Sequence, residues 1–133
     1  MVAFIDSNVL VYSAVDDRRT QAALDTLAEP FIVSVQSINE VTHVLRRKFR
    51  REWVDVDEAV GLITAAAIDV VAITFGVQRE ARRLAERHQL AIYDAQIIAS
   101  ALASGCVTLW SEDMHHGLVI DARLTIRNPF AGD

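Results

Sequence analysis

Short apolar runs alternate with longer amphipathic stretches along the chain. Four runs are rich in β-branched and aromatic residues, which is typical of buried strands, and they cover residues 2–5, 31–35, 70–73 and 107–110. Between them the spacing of apolar residues predicts helices near residues 18–29, 37–51, 56–68, 76–89 and 94–104. The extended stretch 124–130 predicts a further strand, which we place at a sheet edge because it contains Pro129.

This alternation of strands and helices predicts a three-layer α/β fold, in which a central, mostly parallel β-sheet is flanked by helices. The 133 residues are enough for one domain, spanning 1–133, and the composition of 52% hydrophobic and 23% charged residues is that of an ordinary globular protein. We expect no membrane segment, because Asp69 interrupts the longest apolar stretch, 60–77. The first residues lack the pattern of a secretion signal, and the single cysteine, Cys106, favours a reducing compartment, so we expect a cytoplasmic protein.

Four acidic residues fall near the ends of the predicted strands or at the starts of the helices. They are Asp6, Glu40, Asp94 and Asp113. The carboxyl ends of parallel strands meet at one edge of a sheet, where ligands bind, so all four side chains can reach the same place. Each also has a purely local interpretation as a helix cap or turn residue, and Glu40 in particular fits a capping box with Ser37.

The energy of such a cluster favours a bound cation over four independent local roles. Four ionised carboxylates about 6 Å apart repel one another by about 17 kcal/mol in total at an effective dielectric constant of about 20. That exceeds the stability of a typical domain, about 5 to 15 kcal/mol, so protons or cations must neutralise part of the charge. Oxygen-only ligands select hard ions, and the sequence therefore predicts a site for Mg²⁺, with Mn²⁺ as a substitute.

The sequences around these acids resemble, in order and spacing, the four motifs of the PIN-domain nucleases, and in particular of the VapC-type toxin ribonucleases. The matching strings are FIDSNVL at 4–10, SINEV at 37–41, IYDAQIIASA at 92–101 and LWSEDM at 109–114. The resemblance spans nearly the whole chain. It implies the PIN-like version of the three-layer fold and Mg²⁺- or Mn²⁺-dependent cleavage of structured RNA.

The same resemblance assigns roles to individual residues. The catalytic and metal-binding positions are Asp6, Glu40, Asp94 and Asp113. Asn8 and Ser111 match accessory polar positions, where they would hold a carboxylate or a metal-bound water. Glu112 and Asp113 are adjacent, so either of them could face the pocket.

The resemblance also implies partners. Toxins of this type are paired with a small protein antitoxin, and a pocket of four carboxylates would attract an inserted arginine or lysine from that partner as it attracts a metal ion. The protein itself is expected to form a homodimer.

Net charge does not exclude an RNA substrate. The formal charge is −5, but four of the 18 acidic residues belong to the predicted site, and the remaining 14 nearly balance the 13 lysines and arginines. The basic run 46–51 contains Arg46, Arg47, Arg50 and Arg51, which we predict to contact RNA phosphates. The alternative is that these arginines form a solvated helix end.

Three other functions compete with RNA cleavage. A PIN-like module that binds RNA or protein without cutting is the main alternative, although the complete set of acids argues against it. A metal-dependent phosphatase is less favoured, because Asn8 stands where the dehalogenase-like phosphatases carry a second aspartate. A dinucleotide-binding domain would need a glycine-rich first turn, which this chain lacks.

Overall fold

A computed structural model describes residues 2–131, in which six helices surround a six-stranded sheet. The strands are β1 (Ala3–Ile5), β2 (Phe31–Ser34), β3 (Asp69–Val71), β4 (Thr108–Trp110), β5 (Val119–Ile120) and β6 (Leu124–Arg127). The helices are α1 (Ser7–Ala14), α2 (Thr20–Leu27), α3 (Val35–Arg47), α4 (Trp53–Ala66), α5 (Phe75–His88) and α6 (Ile92–Ala103).

The sheet has the order β3-β2-β1-β4-β6-β5, and its first five strands are parallel. The predicted α/β fold with a mostly parallel sheet is therefore confirmed. The prediction that the last stretch forms an edge strand is wrong, because β6 pairs with β4 on one side and with the short antiparallel β5 on the other. Pro129 lies beyond the end of β6, so it removes no hydrogen bond from the ladder.

Hydrophobic cores lie on both faces of the sheet. Along β1, Phe4 packs into the core that is built mainly with α5 and α6, whereas Ile5 packs into the opposite core with α1, α3 and α4. Successive side chains of a strand point to opposite faces, and both residues are fully buried. This two-sided burial explains why the strands appear in the sequence as continuous apolar runs.

The start of α3 differs from the prediction. Ser34 is the N-cap, and its hydroxyl accepts the N–H of Ser37 at 3.1 Å. The helix therefore begins three residues earlier than a capping box of Ser37 and Glu40 requires. Glu40 lies in the second turn of α3, where its side chain is free to serve the site instead of the helix end.

Within residues 2–131, no helix is both long and apolar enough to cross a bilayer.

Candidate active site at the carboxyl edge of the sheet

Asp6 lies at the centre of the candidate site, immediately after β1 and at the N-cap of α1. The residue is only 6% exposed. The backbone N–H of Ser7 donates to Oδ1 at 2.7 Å, and the Ser111 hydroxyl donates to Oδ2 at 2.8 Å. Each carboxylate oxygen is therefore fixed by one donor, and Ser111 reaches it from the end of the neighbouring strand β4.

Asp6 holds its proton more tightly than an ordinary aspartate. Burial is the largest cause, and the negative charges of Glu40 and Asp94 add to it. The hydrogen bonds from Ser111 and Ser7 act in the opposite direction, yet the pKa is raised from 3.8 to about 6. A buried carboxylate with two acidic neighbours gains from any cation that neutralises it.

Glu40 approaches Asp6 from α3. Its Oε2 accepts the Ser7 hydroxyl at 2.6 Å, and its Oε1 accepts the side-chain amide of Gln36 at 2.8 Å. Ser7 thus contacts both carboxylates, through its N–H to Asp6 and through its hydroxyl to Glu40. Ser7 was not predicted from the sequence, although its position beside Asp6 in a short polar turn was the available signal.

Asp94 joins the cluster from the first turn of α6. Its pKa is raised, first by partial burial and then by the negative charges of Asp113 and Glu40. Asp94 therefore interacts with all three of the other acids, since it also raises the pKa of Asp6. The first turn of a helix favours an anion, which lowers the cost of keeping this carboxylate near the others.

Asn8 connects α1 to the loop that follows β4. Its amide nitrogen donates to Asp113 Oδ2 at 3.1 Å, and its amide oxygen accepts the backbone N–H of Glu112 at 3.1 Å. The Glu112 carboxylate is instead paired with Arg19, at 2.7 Å from Nε. Of these two adjacent acids, it is Asp113 whose carboxylate accepts a hydrogen bond from the Asn8 side chain and whose charge raises the pKa of Asp94.

A cleft of about 560 Å³ opens beside Glu40 and Asp113, whereas Asp6 and Asp94 do not line it. Its polar wall includes Glu40, Glu112 and Asp113, and its apolar wall is built from α1, α3 and the turn after α3. The apolar and aromatic lining residues are Val11, Tyr12, Val44 and Phe49. A chain that enters the cleft meets negative charge on one side and hydrophobic surface on the other.

The acids are near one another but are not gathered around a common point. Among residues 2–131, no three histidine, cysteine, aspartate or glutamate side chains lie together closely enough to hold a metal ion. The donor set nevertheless suits a hard cation, because every candidate ligand is a carboxylate oxygen. The raised pKa of Asp6 is the sign that positive charge at this place is favourable.

The four arginines of the predicted basic run do not line this cleft. The side chain of Arg46 makes contacts within the fold instead. Its guanidinium donates to the Arg51 carbonyl at 3.0 Å and covers the Trp53 ring at 4.5 Å from the centroid. The cation of the run that does line the cleft is Lys48, together with His43 five residues earlier in α3.

The placement of Lys48 and His43 was not predicted from the sequence. Helical spacing from Glu40 was the available signal, because residues three, four and eight positions apart share a helix face. Arg19 was missed as well, and its pairing with Glu112 has no local sequence pattern because the two residues are 93 positions apart in the chain.

Comparison with solved structures reveals the same fold in several bacterial proteins. A toxin-antitoxin complex from Klebsiella pneumoniae matches with a TM-score of 0.72 and 18% identity, over 96% of this chain and 98% of that one. FitAcB from Neisseria gonorrhoeae matches with a TM-score of 0.70 and 18% identity, over 98% and 99%. VapC20 from Mycobacterium tuberculosis, a toxin that cleaves the sarcin-ricin loop, matches with a TM-score of 0.68 and 18% identity, over 80% and 86%.

No curated protein is significantly similar to the chain in sequence. The family model of the PIN domain, in contrast, matches residues 3–117. That range includes the whole site described above, from Asp6 to Asp113. The match covers most of the chain, and the protein belongs to the PIN domain family.

Proposed function

We propose that this protein is a metal-dependent endoribonuclease that cuts structured RNA and acts as the toxin of a toxin-antitoxin pair. One observation carries the proposal: Asp6, Glu40, Asp94 and Asp113, drawn from four distant segments, act on one another electrostatically at one edge of the sheet. An arrangement that costs stability in the free protein is expected where it serves chemistry. The match of the PIN domain model and the fold shared with VapC20 support a nuclease.

Mg²⁺ is the cofactor that this donor set favours, with Mn²⁺ as a substitute. Asp6 and Asp94 would be its chief ligands, and Glu40 and Asp113 would complete the site and orient the attacking water. Such an ion supplies charge neutralisation at the phosphoryl oxygens and an activated water.

The polar neighbours prepare the carboxylates for this task. Ser7 and Ser111 fix the two oxygens of Asp6, so that the carboxylate keeps one orientation before the substrate arrives. Asn8 restrains Asp113 and the adjacent backbone. These three side chains carry no charge at neutral pH, so they orient the acids without cancelling the charge that attracts a cation.

The proposed partner is a small antitoxin that presents an arginine or lysine to the acidic wall of the cleft. A guanidinium offers two parallel donors to a carboxylate, and apolar residues beside it could pack on the opposite wall of the same cleft. Two structures with similar folds support such a partner: the toxin-antitoxin complex from Klebsiella pneumoniae and VapBC2 from Rickettsia felis. VapBC2 matches with a TM-score of 0.70 and 14% identity, over 96% of this chain and 98% of that one. The protein is also proposed to form a homodimer.

Some apolar residues of α1 and α3 are buried in the fold, so they are not available to this partner. Val9, Leu10, Val41 and Leu45 are at most 2% exposed. The contact surface is therefore expected to come from the half-exposed side chains of the cleft, such as Tyr12 and Val44.

The direct test of RNA cleavage is to map new RNA 5′ ends after brief expression of the wild type. Asp6→Asn is the inactive comparison, because it keeps the shape of the side chain and removes its charge. Asp57→Asn, at an exposed position on α4, is the control for the same chemical change elsewhere. Discrete new ends with the wild type and with Asp57→Asn, absent with Asp6→Asn, support the proposal, whereas binding of RNA without cutting supports the non-catalytic alternative.

The partner is tested by purifying the protein from its native host and measuring the mass of the complex by light scattering. We expect to find the protein in a complex with a small protein that presents an arginine or lysine, and this complex should cut no RNA. The protein freed from the complex should be a dimer that cuts RNA. A lone monomer with unrestrained activity would refute both the inhibited pair and the dimer while leaving the nuclease proposal intact.

A further inference from the structure

One face of α3 leads away from the acidic cluster along the floor of the cleft. Glu40, His43 and Val44 line the cleft from this helix, and Lys48, its C-cap residue, lines the same cleft from the helix end. At about 1.5 Å per residue, eight residues separate Glu40 from Lys48 by about 12 Å along the axis. A stacked nucleic-acid strand advances about 3.4 Å per nucleotide, so this distance corresponds to about three or four nucleotides.

Lys48 is the one lysine or arginine among the residues that line this cleft within residues 2–131. It is exposed, and its ammonium lies over the ring of Phe49 at 5.6 Å from the centroid. Phe49 lines the cleft as well, so the charge is held at the cleft wall.

A cation at the position of Lys48 can attract RNA to the acidic site. The carboxylates repel the polyanionic RNA until cations neutralise them, so the attraction has to come from a positive charge nearby. The Debye length at physiological salt is about 8 Å, which is shorter than the separation of about 12 Å between Glu40 and Lys48. A phosphate beside Lys48 is therefore largely screened from the acids while its strand still reaches them.

We propose that Lys48 binds a backbone phosphate of the RNA a few nucleotides from the cut, and that α3 guides the strand from there to the acids. This inference rests on the proposed ribonuclease function and names a substrate contact for it. It differs from the sequence-based prediction, in which the arginines of the run 46–51 contact the phosphates. Because phosphate contacts carry no base information, Lys48 contributes affinity and position but not sequence preference.

The competing explanation for Lys48 is a solvated cation at a helix end, where it interacts favourably with the helix dipole. Arg47 provides the matched control. It precedes Lys48 directly, carries the same charge at the same helix end and is exposed, but it does not line the cleft. An effect of net charge or of the dipole is expected to appear equally in both variants.

The experiment measures binding of a short, labelled, single-stranded RNA of mixed sequence by fluorescence anisotropy over a series of salt concentrations. The protein carries Asp6→Asn, so that no RNA is cut during the measurement, and Lys48→Ala, Lys48→Arg and Arg47→Ala are compared in that background. We expect Lys48→Ala to weaken binding about three- to tenfold, as for one net hydrogen bond, and to reduce the slope of log K against log salt by about 0.7. Lys48→Arg should restore the slope, and Arg47→Ala should leave it unchanged.

Two results would overturn the inference. One is an unchanged slope for Lys48→Ala. The other is an equal loss of RNA affinity for Arg47→Ala, which would assign the phosphate contact to the basic run 46–51 as a whole. Circular dichroism of each variant verifies that it is folded. Failure of the ribonuclease proposal is recognised separately, by the absence of RNA cleavage by the wild type in Mg²⁺.

Discussion

The amide nitrogen of Asn8 lies 3.1 Å from Oδ2 of Asp113, although the two residues are 105 positions apart in the chain. The amide oxygen of the same side chain accepts the N–H of Glu112 at 3.1 Å. One neutral side chain at the start of α1 therefore holds both the backbone and the acid of the loop that follows β4. A loop in this position gains from such a restraint, because Asp113 is exposed and its negative charge lies near that of Asp94.

Replacing Asn8 tests this restraint. We expect Asn8→Ala to reduce RNA cleavage about 10- to 100-fold, the usual cost of losing a partner that orients a metal ligand. Thermal stability should change little, since the side chain is half-exposed. Steady-state kinetics with a titration of Mg²⁺ is the measurement, and the concentration of Mg²⁺ needed for half-maximal rate should rise.

A second substitution separates orientation from charge at the same position. Asn8→Asp keeps the oxygen that accepts the Glu112 N–H but places another carboxylate against Asp113. It should therefore lower the free energy of unfolding of the metal-free protein more than Asn8→Ala does. Wild-type kinetics in both variants would show that Asn8 does not position Asp113.

The raised pKa of Asp6 predicts a characteristic dependence of stability on pH. The pKa is about 6 in the folded protein and 3.8 as the ordinary value, so the folded state binds the proton more tightly. The stabilisation that protonation of this group provides is fully present below pH 3.8 and is lost as the pH rises through about 6. About two pKa units correspond to about 3 kcal/mol, which is the most that this group can contribute.

The variant Asp6→Asn lacks this ionisation, and its free energy of unfolding should exceed that of the wild type above about pH 7 by up to about 3 kcal/mol in chelator. The difference should shrink as the pH falls towards about 4. Urea denaturation over this pH range is the measurement, with Asp57→Asn as an exposed control. A constant difference at all pH values would refute the link to Asp6.

Divalent ions should stabilise the wild type against heat. A ligand that binds only the folded state adds about 2.7 kcal/mol at about 100 times its dissociation constant, so Tm should rise with the concentration of Mg²⁺ or Mn²⁺. Asp6→Asn and Asp94→Asn should each reduce this rise strongly, because each removes a proposed ligand. An equal rise in both variants would place the ion elsewhere.

We expect Arg46 to contribute to the stability of the fold and not to RNA binding. Its bond to the Arg51 carbonyl and its contact with the Trp53 ring tie the end of α3 to the start of α4. Arg46→Ala should lower the free energy of unfolding by about 1 to 2 kcal/mol, whereas Arg47→Ala should leave it nearly unchanged. Equal stability of the two variants in urea denaturation would show that these contacts contribute nothing.

The sequence predicts the sheet and the four acids for a physical reason. Strands buried on both faces appear as apolar runs, and the ends of parallel strands meet at one edge, so the sequence alone leads us to expect Asp6 and Asp113 near each other. The predicted start of α3 is wrong, because Val35 closes the apolar run 31–35 in the sequence but is the first residue of the helix, after the N-cap Ser34. The pairing of β2 with β3 ends at Ser34 and Val71, and this contact between distant segments has no local signal in the sequence.

The directions of the side chains in the basic run also escaped prediction. The run 46–51 is a single basic patch in the sequence, but Arg46 contacts the Trp53 ring, whereas Lys48 lines the cleft. The strand β5 contains only two residues, which is too short for a recognisable alternation of apolar and polar positions. Its pairing makes β6 an interior strand, a change that the proline of the same stretch did not indicate.

The central claim is metal-dependent cleavage of RNA by the acids around Asp6, and it is tested most directly with purified protein and total cellular RNA. Cleavage is measured in Mg²⁺, in chelator and after Mg²⁺ is restored, for the wild type and for Asp6→Asn, with Asp57→Asn as the control. We predict discrete RNA fragments from the wild type and from Asp57→Asn only when Mg²⁺ is present, and none from Asp6→Asn. Undiminished cleavage by the wild type in chelator, or by Asp6→Asn in Mg²⁺, would contradict the claim.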